Sequence, residues 1–200
     1  MSGDEFRAGP EDGRPVLLLH PWWGVTPAVR EWAGLLAGVG RRVVVPDLYE
    51  GRVASTVEEA EVLAEGLDHG AVLDRLDALT SEFTGTWAAM GFSLGASFAS
   101  RLLGRAADGP DRLVLFYGGR PPGEEVGRLR RVDLHVVPED PYLTAEELGE
   151  VAESFRAVGV APRVHTYEGS GHWFAERGSP GFHEEAFDLA RSRVLDHLGS

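Results

Sequence analysis

Short apolar runs alternate with longer amphipathic ones along this chain. Val16-Leu17-Leu18-Leu19-His20 is apolar at consecutive positions, as a strand buried on both faces requires. Thr26-Pro27 then pairs a cap residue with proline at a first helical position. Val29, Trp32, Leu36 and Val39 keep helical spacing until Gly40 ends the pattern. A second strand, Val43-Val44-Val45, closes at Pro46-Asp47. Ser55-Thr56-Val57-Glu58 reads as a capping box opening a helical region that breaks near Gly66 to Gly70 and resumes to about Leu79.

The alternation continues to the end of the chain. Strands are predicted at Thr86 to Met90, Arg112 to Tyr117, Val132 to Val137 and Arg163 to Tyr167. Helices are predicted from Ser93 to about Arg105, after the Thr144-Ala145-Glu146-Glu147 cap, and from about Phe182 to Leu198. This pattern predicts an α/β fold with a mainly parallel six-stranded sheet and helices on both faces. With no repeat or linker, residues 1–200 read as one domain, and 1–14 as a loosely ordered segment.

Parallel sheets of this kind place their functional loops at the carboxyl ends of the strands. Gly91-Phe92-Ser93-Leu94-Gly95 occupies such a position, between an apolar strand and a helix. A serine on a strained strand-to-helix turn projects its hydroxyl above the sheet edge, and glycines on both sides keep the turn free of side chains. With 26 Gly and 11 Ser in 200 residues, chance supplies roughly 0.2 such motifs per chain. The motif therefore needs its surroundings.

A serine hydroxyl needs a base within hydrogen-bond reach, and the base needs an acid to fix its tautomer. His172 follows the last strand in Gly169-Ser170-Gly171-His172-Trp173 and is the candidate base. Of the other six histidines, His69, His165, His183 and His197 read as surface or helix residues, and His135 as a core residue. His20 ends the first strand and reads as a packing or loop-fixing residue. Asp140, after the fifth strand, is the candidate acid, with Glu168 as runner-up. Ser93, Asp140 and His172 follow one another as nucleophile, acid and base, the order that belongs with a Gly-x-Ser-x-Gly elbow. Backbone N–H groups of Leu94 and of Trp22 or Trp23 are the candidate oxyanion donors, because Pro21 has none. Trp22, Trp23, Trp173 and Tyr142 flank these loops and could line an apolar acyl or ring pocket.

Composition narrows the classes. Net charge is −13 with no basic stripe, which argues against nucleic acid and anionic membranes as partners. The absence of cysteine excludes thiolate chemistry, disulfides and Cys-based metal sites. No His-x-x-x-His spacing appears, so no metal or other cofactor is expected. Met1 to Pro15 lack the apolar core of a signal peptide and no apolar run reaches membrane length, so the expected location is the cytoplasm.

Taken with His20-Pro21-Trp22-Trp23-Gly24, Pro46-Asp47-Leu48-Tyr49, Phe116-Tyr117-Gly118, Glu139-Asp140-Pro141 and Gly171-His172-Trp173-Phe174-Ala175, the elbow resembles the dienelactone hydrolase family of the α/β-hydrolases, from about Val16 onward. The resemblance implies an α/β-hydrolase fold that is short at its front. It also implies a triad of Ser93, Asp140 and His172, with oxyanion donors at Trp22 and Leu94. Three positions depart from the best-known members. Ser93 stands where they carry a cysteine, and Pro21 where they carry a glutamate that helps form the thiolate. The two changes agree, since a serine with a His–Asp relay has no use for that glutamate. Glu176 stands where they use an arginine to hold a substrate carboxylate, with Arg177 next to it, which argues against an acidic dienelactone. The expectation is a hydrolase of small carboxylic esters or lactones acting through an acyl-enzyme on Ser93, with Trp23, Tyr142 and Trp173 against the substrate. An acyltransferase with the same triad, or a catalytically silent fold that binds a small molecule, are the alternatives.

Overall fold

The computed structural model describes residues 5–105 and 108–199. Seven strands form one sheet in the order β1-β3-β2-β4-β5-β6-β7. They are β1 Glu5–Ala8, β2 Arg14–Leu19, β3 Arg41–Pro46, β4 Ala88–Phe92, β5 Arg112–Phe116, β6 Arg131–Val136 and β7 Arg163–Thr166. All neighbours run parallel except β1, which lies antiparallel on β3. The six strands read from the pattern are therefore joined by a seventh, within the segment expected to be loosely ordered. Only Phe6 and Ala8 of this four-residue strand are apolar, and both pack on the core. Two apolar positions are too few to raise a strand signal, whereas the open edge of β3 offers hydrogen bonds from Val43 to Pro46.

Why β2 is a continuous apolar run is visible in its two faces. Leu17 and Leu19 pack on one side with α3 (His69–Thr80), α4 (Leu94–Arg101) and α5 (Ala145–Ala157). Val16 and Leu18 pack on the other with α1 (Pro27–Gly38) and α6 (Glu184–Gly199). Each fully buried leucine is worth about 1.5–3 kcal/mol, so a strand with none of its apolar residues exposed belongs at the centre of the sheet.

The helix caps follow the sequence with one shift. Thr26 caps α1 with Pro27 at its first position, and Thr144 and Glu147 form a reciprocal capping box on α5. At α2 (Val57–Glu65) the cap is Thr56 rather than Ser55; Glu59 reaches back to the N–H of Ser55. Among the described residues no helix is long and apolar enough to cross a membrane.

Beneath α6 lies a buried polar group. Asp133 accepts a hydrogen bond from His165 Nε2 at 3.0 Å and sits 2.9 Å from His197 Nδ1. Next to it, His135 Nδ1 is 2.7 Å from the Tyr167 hydroxyl. His197 is thus fully buried rather than a surface helix residue, and His165 is half-buried, while His135 is in the core as its mid-strand position predicts. Burial lowers the pKa values of His135 and His197, and the two histidine partners hold Asp133 well below the usual carboxylate range despite its burial.

Candidate active site

Five strand-end loops converge at the carboxyl edge of the sheet. The turn after β4 is dictated by close approach. A Cβ on Gly91 would stand 2.4 Å from the backbone of Gly95, and one on Gly95 would stand 2.3 Å from the carbonyl of Leu19. Only glycine fits at either place, so β4 and α4 can meet at a sharp angle. Between them Ser93 adopts φ 48° and ψ −108°, a left-handed strain that non-glycine residues rarely carry. Its N–H donates to Phe116 O at 2.9 Å, which ties the elbow to β5. A serine before a helix ordinarily caps it, but Ser93 makes no cap bond. Its Oγ lies instead 3.2 Å from His172 Nε2.

The second nitrogen of that ring is engaged on its other side. His172 Nδ1 is 2.7 Å from both oxygens of Asp140. Asp140 also accepts the N–H groups of Tyr142 at 2.8 Å and Leu143 at 3.2 Å, so its carboxylate is fixed by the loop that follows β6. A carboxylate fixed by two backbone donors can accept a proton carried on Nδ1 and so leave Nε2 free to accept. Both side chains are nearly withdrawn from solvent. Glu168, the runner-up acid, is exposed.

Leu94 is the first residue of α4, where N–H groups have no partner inside the helix. Trp22 sits in the turn closed by Gly24 N–H on Pro21 O. That turn is held from behind by His20, which is fully buried. Its Nδ1 donates to Pro21 O at 2.6 Å and its Nε2 accepts the N–H of Leu48 at 3.0 Å. These partners use both ring nitrogens, consistent with a loop-fixing residue whose pKa burial lowers.

Ser93, Leu94, Trp22, Tyr117, Arg120 and Tyr142 line a groove of about 410 Å³. Trp23 lines a separate cavity of about 510 Å³ with Glu176 and Arg177. Trp173 packs between, with ring centroids 5.9 Å from Trp22, 5.3 Å from Trp23 and 5.5 Å from Tyr142. The four aromatics flagged from the sequence therefore form one wall, with Trp22 and Tyr142 facing the groove. Arg177 does not reach the groove. Its guanidinium lies over Phe182 and pairs with Glu31 and Glu184. Arg120 is the groove's cation, and Glu147 and Glu150 stand beside it. Sequence reading passed over Arg120 because nothing in Gly119-Arg120-Pro121 marks it apart from a surface loop.

Among the described residues, Asp133, His135 and His165 are the group whose ligand atoms come within 4.8 Å of one another. They lie along β6 and β7 in the hydrogen-bonded network under α6, apart from the groove.

The buried ionisable groups set a stability optimum. Glu176 is buried, and desolvation pushes its carboxyl up to about 8, against the lowering effect of a hydrogen bond from Tyr117. In the folded state it stays protonated where an unfolded chain would ionise it, so its contribution is lost as pH rises through 8. His20, His135 and His197 have the opposite effect. Burial lowers their pKa values, so as pH falls below about 6.5 the unfolded chain takes up more protons than the folded one. Three such histidines against one carboxyl make acidification the steeper side. The midpoint of thermal unfolding, followed by circular dichroism from pH 5 to 9, is expected to peak near neutrality and fall most sharply toward pH 5. A flat midpoint between pH 7 and 5 would contradict this.

Comparison with known proteins places the whole chain. The model of the dienelactone hydrolase family matches residues 5–200. Carboxymethylenebutenolidase 1 of Cupriavidus pinatubonensis is 28% identical, over 94% of this chain and 86% of its own length. The carboxymethylenebutenolidase of Pseudomonas putida is 28% identical, over 92% of this chain and 84% of its own. A crystal structure of a dienelactone hydrolase-like promiscuous phosphotriesterase from metagenomic libraries superposes with a TM-score of 0.76 over 98% of both chains at 19% identity.

Proposed function

The chain belongs to the dienelactone hydrolase family and is a hydrolase of ester or lactone bonds, and from that premise we propose that it works through an acyl-enzyme on Ser93. The observation that carries the proposal is the continuous line from Asp140 through His172 to Ser93, 2.7 Å and 3.2 Å long in its two links. In this reading Ser93 Oγ attacks the substrate carbonyl while His172 Nε2 takes its proton. The negative oxygen is met by the N–H groups of Leu94 and Trp22. The carbon–oxygen bond to the alcohol breaks, and His172 returns the proton to the leaving alkoxide. Water then attacks the acyl carbon, again losing a proton to His172. The acid is released as Ser93 recovers that proton.

The groove of about 410 Å³ suits a small molecule. The relatives named for carboxymethylenebutenolide carry a lactone specificity in that name. Here the carboxylates of Glu147 and Glu150 accompany Arg120 in the groove, which favours neutral esters or lactones over acidic ones.

A fluorophosphonate probe tests the nucleophile directly. The folded protein is expected to gain one adduct, located on Ser93 by peptide mass spectrometry. A folded protein that remains unlabelled, or is labelled at another serine, would refute the assignment.

A further inference from the structure

The proposed reaction makes no use of Glu176, although the residue is 3% exposed and belongs to the turn that carries His172. The N–H of Phe174 donates to Gly171 O and that of Glu176 to Trp173 O, both at 3.0 Å, so the segment from the base to Glu176 is wound tightly. Glu176 Oε1 accepts a hydrogen bond from the Tyr117 hydroxyl at 2.5 Å. Tyr117 is buried one residue past β5, with φ 35° and its N–H bonded to His135 O at 2.8 Å. Its ring packs on the His172 imidazole with centroids 4.7 Å apart. The other ring at that distance, Tyr142, is 49% exposed. The firm side of the imidazole's seat is therefore the one that Glu176 holds.

We propose that Glu176 is a positioning residue for His172: acting through Tyr117, it seats the imidazole against Ser93, and its charge tunes how readily that imidazole takes a proton. The inference rests on the Ser93–His172 reading above. A buried anion one phenol ring away stabilises an imidazolium, the form His172 takes in each proton transfer. The groups facing Glu176 leave that charge effective. Tyr117 is kept in its phenol form by burial and by the neighbouring carboxylates of Glu176 and Asp140. Arg177, next in the chain, is committed to Glu31 of α1, Glu184 of α6 and the Phe182 ring. Glu176 also lines the cavity of about 510 Å³ beside Trp23, which gives its proton a route to solvent. Burial places its ionisation near pH 8, inside the range an esterase can be assayed.

The test is the rate of Ser93 labelling by a fluorophosphonate between pH 6 and 10, in the wild type, Glu176→Gln and Tyr117→Phe. Beyond the rise common to any base-assisted attack, the wild type is expected to show a second rise of about threefold to tenfold near pH 8 as Glu176 ionises. Glu176→Gln keeps an acceptor for Tyr117 but cannot ionise. It is expected to match the wild type within about threefold at pH 7 and to lack the second rise. Tyr117→Phe removes the bond that lowers the carboxyl, so the second rise moves to higher pH, and labelling slows about tenfold throughout as the seat loosens. A folded Glu176→Gln protein whose rate follows the wild type within twofold at every pH overturns the proposal while leaving the triad standing. Should Glu176→Gln not fold, an unshifted second rise in Tyr117→Phe overturns it equally. Wild-type protein unlabelled at Ser93 overturns the triad reading, and this inference with it.

Discussion

Ser93→Ala is expected to lower kcat for a p-nitrophenyl ester by about 10⁴-fold or more with KM little changed. Such a loss corresponds to about 5.5 kcal/mol of transition-state stabilisation. The expectation comes from what Ser93 does and does not hold. Its Oγ makes no cap bond to α4 and lies 3.2 Å from His172 Nε2. The strained backbone at φ 48° is set by Gly91, Gly95 and the bond to Phe116, all of which an alanine leaves in place. Stability should accordingly move by less than about 1 kcal/mol. The experiment pairs steady-state kinetics with a thermal melt. If alanine at position 93 keeps the wild-type rate, another group carries the reaction. If neither protein turns over esters, the alternative of a silent binding fold gains.

Much of this site was legible because its determinants are local. Each residue of the proposed triad follows the carboxyl end of a strand within a few positions, and Gly91 and Gly95 bracket the serine in a pattern that can be read directly from the chain. Proline and threonine at α1 and the box at α5 are also local signals, and they appear where the chain places them. What stayed hidden depends on partners distant in the chain. β1 is held by its register on β3, not by its own composition. His197 looks like one more polar residue in an amphipathic helix, yet it is buried against Asp133, 64 positions earlier. Glu176 looks like a charge exchanged in a loop, and only the fold brings Tyr117 to it from the end of β5. The aromatic residues were legible as a group but not as a wall with two sides. Their division between the Ser93 groove and the Trp23 cavity is set by packing on Trp173.

The identity of the acid offers the sharper test of mechanism, because Asp140→Asn keeps the shape of the side chain while removing its charge and turning one acceptor into a donor. The asparagine carbonyl can still accept the N–H groups of Tyr142 and Leu143, now on Asp140 Oδ1. Its amide then puts a donor beside His172 Nδ1 at the place of Oδ2, where the carboxylate was an acceptor, and leaves the shared Oδ1 as the one acceptor within reach. The imidazole relieves the donor–donor contact by moving its proton to Nε2, the nitrogen 3.2 Å from Ser93 Oγ. A base already protonated toward its nucleophile cannot activate it, and the imidazolium would lose its counter-charge as well. A fall in kcat of about 10³- to 10⁴-fold is expected on both grounds, with the fold and the aromatic wall intact. Glu168→Gln provides the contrast, since Glu168 is exposed and should leave the rate within about twofold. The reverse outcome, an active Asp140→Asn and a crippled Glu168→Gln, would move the acid to the end of β7. Fluorophosphonate labelling of Asp140→Asn should slow in proportion to turnover, because the same proton transfer limits both. A variant that labels at the wild-type rate but fails to turn over would instead confine the role of Asp140 to release of the acyl group.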